Sequence, residues 1–180
     1  MIRPATPADA PAIAAIYEPY VTASVASFEE HPPSPTQIER RIAAALRWIV
    51  CEVDGAVIGY AYARPFNPRA AYRWSCEVSI YLATTAHRAG HGRSLATHLL
   101  GELRDAGYVN AIAGITLPNN KSVGLFEALG FAHVGTFPGI GHKEGAWHDV
   151  GYWQLALREA STPPPTLATA TAIAPPGDET

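Results

Sequence analysis

The spacing of apolar residues predicts a short strand and two helices at the start of the chain. Residues 2–5 are strand-like, and Thr6 with Asp9 forms a helix start signal. Apolar side chains then recur at helical spacing, at Ile13, Ile16, Tyr17 and Tyr20. We expect a loop over residues 23–33. The capping box that begins at Ser34 then predicts a second helix ending near Leu46.

From residue 48 onward, strands and helices alternate. Segments 48–53 and 56–65 are β-rich and flank Asp54-Gly55, a strong hairpin signal. Helices are predicted from about Gly90 to Ala106, and from Asn119 or Asn120 to about Leu129. Further strands are predicted at 74–83, 110–117, 131–137 and 148–157, with a glycine-containing loop between the last two. This order predicts one mixed α/β domain over residues 1–160.

Composition and charge narrow the class of protein. A net charge of −3 without a basic block argues against nucleic acid or an anionic membrane as the main partner. No apolar run is long enough to cross a membrane, and the N-terminus lacks the apolar stretch of a signal peptide. Cys51 and Cys76 stand alone in strand-like segments, which indicates buried, reduced thiols in a cytoplasmic protein. Residues 161–180 have no aromatic residue and no basic charge, so we expect a disordered Pro/Ala/Thr-rich tail.

The segment HRAGHGRS, residues 87–94, places two glycines directly before the third predicted helix. Gly90 and Gly92 tolerate positive φ, and the amides of a first helical turn have no acceptor within the helix. Such a corner suits a phosphate or pyrophosphate, and Arg88 and Arg93 add positive charge. The spacing fits neither a P-loop nor a dinucleotide fingerprint. A flexible helix entry without a ligand remains the alternative.

The spacing His87-x-x-Gly90-x-Gly92 after a strand resembles the acetyl-CoA pyrophosphate loop of the GNAT N-acetyltransferase superfamily, although that family usually has Gln or Arg in place of the histidine. The segment LPNNKSVGLFEALGF is similar to the family's second signature, Asn-x-x-Ser followed by Glu-x-x-Gly-Phe. Two further segments, WSCEVSIYL and GHKEGAWHDVGYWQ, resemble the branch that acetylates phosphinothricin and methionine sulfone or sulfoximine. Order and spacing match over residues 2–157.

This resemblance implies the GNAT fold, with a mostly antiparallel central sheet flanked by helices. It implies transfer of an acetyl group from acetyl-CoA to the α-amino group of a small amino-acid-like acceptor, by a homodimer. The coenzyme contacts that it implies are Ile80, Tyr81, Leu82, His87, Arg88, Ala89, Gly90, His91, Gly92, Arg93, Ser94, Asn119 and Ser122. Two alternatives stay open: another acceptor (a polyamine, an aminoglycoside or a protein N-terminus), or a non-catalytic acyl-CoA-binding module.

Acetyl transfer to an amine needs a group that accepts a proton and a donor for the carbonyl oxygen. Glu77 lies within an apolar strand-like segment, where a carboxylate is costly unless it is paired, solvated or used. The resemblance implies that Glu77 is the general base; a solvated carboxylate, or one paired with Arg73, is the alternative. The resemblance also implies an acceptor pocket with Phe28, Glu29, Arg73 and Glu77, in which the arginine suits a carboxylate or phosphinate. An exposed Arg73 without that role is the alternative.

Two further positions qualify the resemblance. Phe126 stands where many GNAT members carry the tyrosine that protonates the leaving thiolate. A thiol pKa of about 8.5 lets the thiolate leave without such an acid. Asn119 is predicted as a helix N-cap that binds Ser122, which is compatible with a coenzyme contact.

Residues 142–149 contain two histidines and an aspartate, but their spacing does not fit a zinc site. We therefore expect no metal. We expect instead a turn in which Trp147 packs against the protein and Asp149 binds backbone amides.

Overall fold

The structure, a computed structural model, describes residues 1–87 and 89–168. The helices of this part are α1 Ala10–Thr22, α2 Pro35–Ala44, α3 His91–Asp105 and α4 Asn120–Ala128. The strands are β1 Ile2–Pro4, β2 Arg47–Val53, β3 Ala56–Pro65, β4 Ser75–Leu82, β5 Asn110–Leu117, β6 Ala132–Lys143 and β7 Ala146–Ala156. Among the described residues, no helix has the length and apolar content needed to span a bilayer.

The strands form one seven-stranded sheet in the order β1-β2-β3-β4-β5-β7-β6. Every neighbouring pair is antiparallel except β4 and β5. The predicted mixed α/β fold with a mostly antiparallel central sheet is therefore confirmed. The parallel pair covers only Ser75–Glu77 against Asn110–Ile112. Beyond that point β4 stays paired with β3 and β5 with β7, so the sheet splits between its two central strands.

Two apolar clusters cover the two faces of the sheet. One cluster joins α3 and α4 to the face of β4 that carries Cys76 and Val78. The other joins α1 and α2 to the opposite face, where Tyr81 packs. Glu77 has the same alternation parity as Tyr81, and therefore lies on the α1/α2 side. Both cysteines are buried free thiols, as predicted, and burial raises the pKa of Cys76 to about 12.

The first two helices begin as the sequence predicts. The Asp9 carboxylate accepts a 2.8 Å hydrogen bond from the Thr6 amide, and a short 3-10 turn over Pro7–Asp9 leads into α1. At α2, the Ser34 amide donates to Gln37 Oε1 at 2.8 Å, which completes the predicted capping box. That helix ends at Ala44 and not near Leu46, because the chain already joins the sheet there.

The predicted glycine-containing loop before the last strand is wrong. The strand expected to end at residue 137 continues as β6 to Lys143, and a tight turn leads directly into β7. Pro138 and Gly139 indicate a loop in sequence, but β6 is the edge strand, where such residues are tolerated at irregularities. The register shifts between Phe137 and Gly141, and the Gly139 amide donates to Asp149 Oδ1 at 2.7 Å.

The end of the described chain packs on the domain. Trp74 Nε1 donates to the Pro165 carbonyl at 2.8 Å, and the Ala168 amide donates to the Ala106 carbonyl at 2.9 Å. Leu167 contacts the α3/α4 cluster. The predicted disordered tail covers 161–180, and its part from 169 to 180 lies outside the described residues.

Candidate functional site

A cleft of about 710 Å³ opens where β4 and β5 separate. Ile80 and Leu82 of β4 form one wall, and Thr116 at the end of β5 forms the other. The first turns of α3 and α4 close it from one side. From the other side, the cleft is closed by Tyr20 of α1 and by the following loop residues, Ser24, Val25 and Ala26.

The start of α3 presents free backbone amides to this cleft. Gly90 is the N-cap and has φ 80° and ψ −5°, a left-handed conformation that favours glycine. The first hydrogen bond of the helix runs from the Ser94 amide to the Gly90 carbonyl at 3.1 Å. The amides of residues 91–93 precede that bond and have no acceptor within the helix. His87 and Arg93 also line the cleft, whereas the prediction for Arg88 lies outside the described residues.

Gly92 provides the space that a ligand needs at this corner. It is buried, and a Cβ atom built there would lie 3.4 Å from Leu82 Cδ1 and 3.6 Å from Leu125 Cδ2. A larger side chain would therefore occupy the cleft between α3 and α4. The residues present fit a slender ligand whose anionic part rests on the start of α3.

The open edge of β4 is partly satisfied by a tyrosine that the sequence analysis did not assign. Tyr20 Oη donates to the Leu82 carbonyl at 2.7 Å and lies 3.2 Å from His87 Nε2. Burial raises the pKa of Tyr20, which keeps the hydroxyl protonated as a donor. In a paired strand, the backbone N–H and C=O groups of successive residues point alternately to the two edges of the strand. The backbone groups of Ile80 therefore point to the same edge as those of Leu82, towards the cleft.

Other predicted coenzyme residues lie beside the cleft rather than in its lining. The Tyr81 ring packs against Tyr17 and Tyr60, at centroid distances of 4.9 and 5.3 Å. Ser94 Oγ donates to the Gly90 carbonyl at 3.3 Å. Ala89 and His91 are also absent from the lining.

Helix α4 begins as predicted. Asn119 Oδ1 accepts a 3.1 Å hydrogen bond from the Ser122 amide, and both residues line the cleft. Phe126 is buried and packs against Phe131 at a centroid distance of 5.0 Å, whereas Leu125 faces the cleft. Leu125 therefore gives this part of the cleft an apolar side chain, and Phe126, which has no hydroxyl, is not among the lining residues.

Glu77 lies where the pairing of β4 with β5 ends, three residues before Ile80, and is not among the residues that line the cleft. It is the last residue of β4 that pairs with β5, and its side chain is 21% exposed. Its Oε1 accepts a 2.9 Å hydrogen bond from Arg64 Nη2 on β3. The alternative in which Glu77 pairs with Arg73 is therefore wrong. Arg73 is exposed, donates from Nε to the Ala70 carbonyl, and lies over the Trp74 ring at 4.9 Å.

The loop between α1 and α2 is held by the β6–β7 hairpin. Lys143 Nζ donates to the carbonyls of Val21, Ser24 and Ser27, at 2.6, 2.9 and 2.6 Å. Next to it, the Phe28 ring lies so close to Gly141 that any Cβ there would clash with the ring. The hairpin therefore fixes a loop that carries cleft residues at one end and predicted acceptor residues at the other.

Glu29 is already engaged by other side chains. Arg41 donates to both of its oxygens, from Nη1 at 2.7 Å and from Nη2 at 2.9 Å, and Tyr17 Oη donates at 3.0 Å. The Arg41 guanidinium lowers the pKa of Glu29. This pair stabilises the loop and occupies both oxygens of Glu29, whereas Phe28, Arg73 and Glu77 keep exposed surface.

Comparison with known proteins identifies the family. The family model described as an acetyltransferase (GNAT) domain matches residues 2–151. The chain belongs to the GNAT acetyltransferase family. Phosphinothricin N-acetyltransferase of Streptomyces viridochromogenes is 41% identical over 167 residues, which cover 91% of each chain. L-methionine sulfoximine/L-methionine sulfone acetyltransferase of Salmonella typhimurium is 31% identical over 166 residues, covering 90% of this chain and 97% of the relative.

Solved GNAT structures share the whole fold. The crystal structure of a phosphinothricin acetyltransferase from Sinorhizobium meliloti in complex with AcCoA has a TM-score of 0.86 and 35% identity to this chain. The match covers 96% of this chain and 95% of the Sinorhizobium meliloti chain. The predictions of a GNAT fold and of an acetyl-CoA-dependent N-acetyltransferase are confirmed.

The residues that sequence reasoning missed in this GNAT enzyme are Tyr20, Arg64 and Lys143. The sequence places Tyr20 only on the apolar face of a helix, and nothing in the sequence indicates what its hydroxyl binds. Lys143 lies in a segment that the sequence does single out, but its partners lie 116 to 122 residues earlier. Within the described residues, no group of three or more His, Cys, Asp or Glu side chains is placed to hold a metal.

Proposed function

We propose that this GNAT enzyme transfers the acetyl group of acetyl-CoA directly to the α-amino group of a small amino-acid-like acceptor, with Glu77 as general base. Phosphinothricin and methionine sulfone or sulfoximine are the leading acceptors, because the relatives described above carry these compounds in their names. The observation that carries the proposal is the position of Glu77, a largely buried carboxylate at the residue where β4 and β5 part.

The coenzyme is proposed to lie in the cleft with its diphosphate on the amides at the start of α3. Arg93 and His87 flank that corner, and the N-terminal end of a helix favours negative charge. The open edge of β4 at Ile80 would bind the amide groups of the pantetheine arm, while Asn119 and Ser122 border it from α4. When bound, acetyl-CoA supplies an activated acetyl thioester.

Glu77 is proposed to take a proton from the acceptor ammonium, directly or through water, because only the free amine attacks a carbonyl. A backbone N–H at the open edge of β4 would stabilise the charge that develops on the carbonyl oxygen. The leaving thiolate needs little help, since the pKa of a thiol is about 8.5. Cys76 does not fit an acyl carrier, because it is buried on the opposite face and its pKa is raised to about 12.

The acceptor is proposed to bind on the α1/α2 side of β4, near Phe28 and Glu77. An acetyl-CoA assay that detects the released thiol, run over a panel of amines, tests this directly. We expect turnover with phosphinothricin or methionine sulfone, and little with polyamines, aminoglycosides or peptide N-termini. Tight coenzyme binding without turnover for any amine would favour an acyl-CoA-binding module and contradict the proposal.

A homodimer is proposed through the edge of the sheet at β6 and β7. Phe137, Ile140 and Trp147 are 54%, 55% and 68% exposed there, so the expected packing of Trp147 within the protein is wrong. Large neighbouring apolar side chains at a surface are typical of protein contacts. We expect sedimentation to give a dimer that Ile140→Lys dissociates; a monomer in the unmodified protein would contradict this.

The buried free thiols of Cys51 and Cys76 support a reducing compartment, the cytoplasm, as the location of the protein.

A further inference from the structure

Arg64 on β3 and Glu77 on β4 face each other across two paired strands. They are register partners in the antiparallel ladder, and one hydrogen bond joins Arg64 Nη2 to Glu77 Oε1 at 2.9 Å. This places a guanidinium beside the carboxylate that is proposed to act as the base. The pair lies where the pairing of β4 with β5 ends, three residues before Ile80, which lines the cleft.

The Arg64–Glu77 pair is open, in contrast to a neighbouring pair on the same side of the sheet. Arg41 engages both oxygens of Glu29 through two nitrogens. Arg64 uses one nitrogen and Glu77 one oxygen, and over residues 1–87 and 89–168 neither group has another hydrogen-bond partner. Arg64 therefore has spare N–H donors, and Glu77 has a spare acceptor oxygen.

The two partners also differ in exposure. The Arg64 side chain is 59% exposed, whereas that of Glu77 is 21% exposed. An ion pair with one exposed partner is weak and exchanges readily with solvent or ligand. The guanidinium can therefore turn towards a new anion while the carboxylate stays in place on its strand.

We propose that Arg64 is a specificity-determining residue that binds the acceptor's α-carboxylate while Glu77 binds its α-ammonium. A free amino acid carries both charges on one carbon. On binding, the single Arg64–Glu77 contact is exchanged for two contacts of opposite sign with the acceptor. An acceptor with positive charges alone satisfies Glu77 but places a like charge beside Arg64. This inference rests on the proposed function and narrows its substrate class to acceptors with a free α-carboxylate.

The proton balance of the reaction follows from this arrangement. The acceptor ammonium gives one proton to the spare Glu77 oxygen, and the nitrogen lone pair forms the new bond to the acetyl carbon. The nitrogen of the tetrahedral intermediate still carries one proton more than the product amide. As the carbon–sulfur bond breaks, the thiolate leaves with the electron pair and takes up this second proton, directly or through water, so that the products are the amide and free coenzyme A. Arg64 exchanges no proton, since its guanidinium stays charged throughout. Its part is to set the acceptor's orientation and to release a Glu77 oxygen.

The discriminating experiment compares L-methionine sulfone with its neutral carboxamide as acceptors for Arg64→Gln. We expect the KM for the acid to rise about 10- to 100-fold, the effect of a lost charge-assisted hydrogen bond, with kcat little changed. The KM for the carboxamide should stay the same, and Arg64→Lys should retain part of the preference for the acid. An unchanged KM for acetyl-CoA checks that the variants are folded.

Arg73→Gln is the matched control, because Arg73 is the arginine that the sequence favours as the carboxylate ligand. We expect this variant to keep the preference for the acid. If Arg73→Gln removes the preference while Arg64→Gln keeps it, the proposal is overturned. An equal loss of kcat with both acceptors in Arg64→Gln, without a change in KM, would overturn it too, since Arg64 would then only position Glu77. If the unmodified protein acetylates no amino acid at all, the proposed function itself fails.

Discussion

Glu77 and Ile112 are the last pair of residues that joins β4 to β5. Beyond them no strand in the described part of the chain pairs with this edge of β4 at Ile80, so a ligand arm can take the place of the missing strand contacts. The same residue that ends the pairing carries the carboxylate proposed as base. The proposed function therefore places coenzyme binding and proton transfer next to each other, at the split in one sheet.

Replacement of Glu77 by glutamine should separate binding from chemistry. The side chain keeps its shape but no longer accepts a proton, so we expect kcat to fall by about two to four orders of magnitude. Acetyl-CoA affinity, measured by calorimetry, should be unchanged. Glu39→Gln, on the exposed side of α2, is the control and should behave as the unmodified protein. A Glu77→Gln variant with full kcat would rule out Glu77 as the base.

Filling the space at Gly92 should abolish coenzyme binding. Because a Cβ atom at this residue already touches Leu82 and Leu125, the two further methyl groups of Gly92→Val project into the cleft. We expect no binding heat with acetyl-CoA. Gly101→Ala on the same helix is the matched control, since a Cβ there meets no atom within 4 Å. Retained affinity in Gly92→Val would place the coenzyme elsewhere.

Local signals in the sequence predict most of the fold. Strand β3 begins where predicted because Asp54-Gly55 forms the turn before it, and β5 ends where predicted, directly before Pro118. Strand β6 was predicted too short, because Pro138 and Gly139 usually end a strand. At a sheet edge, however, the Asp149 carboxylate can replace a missing ladder partner.

Site residues could be predicted from the sequence only where one continuous segment contains all the residues that form the feature. The start of α3 and the Asn119 cap are of this kind. The contact between Glu77 and Arg64 is not of this kind. It depends on the register in which β4 pairs with β3, and a loop of irregular structure separates these two strands in the sequence. Lys143 could not be predicted either, since a surface lysine gives no indication in sequence of three distant carbonyl partners.

Lys143→Met should loosen the loop that carries the predicted acceptor residues Phe28 and Glu29. Loss of the hydrogen bonds from its ammonium to Val21, Ser24 and Ser27 frees the loop, so we expect the KM for the acceptor to rise about tenfold. Amide hydrogen exchange over residues 21–28 should become faster. Glu144→Gln, at the neighbouring exposed turn residue, should change neither quantity. Unchanged exchange and KM in Lys143→Met would show that the loop is held by other contacts.

Stability at acid pH should depend on Asp9. Its hydrogen bonds to Arg3 lower its pKa from 3.8 to about 2 in the folded protein. A lowered carboxyl pKa contributes stability that is present above pH 3.8 and is lost as the pH falls through about 2. We expect Asp9→Asn to cost about 2 kcal/mol in the free energy of unfolding at neutral pH.

Urea unfolding of both proteins at several pH values checks this. The difference between them should shrink as the pH falls from 4 towards 2, because the unmodified protein then loses the same contribution. Asp105→Asn, an exposed carboxylate at the end of α3, should give a small difference at every pH. A difference for Asp9→Asn that does not change with pH would mean that shape, not charge, accounts for the loss.

The central claim is that acetyl-CoA lies in the split between β4 and β5 with its diphosphate on the start of α3. A crystal structure of this protein with bound acetyl-CoA tests it most directly. We predict diphosphate oxygens within hydrogen-bond distance of the amides of residues 91–93, and the pantetheine arm along the edge of β4 at Ile80. A coenzyme bound at another surface, with this cleft unoccupied, would contradict the account.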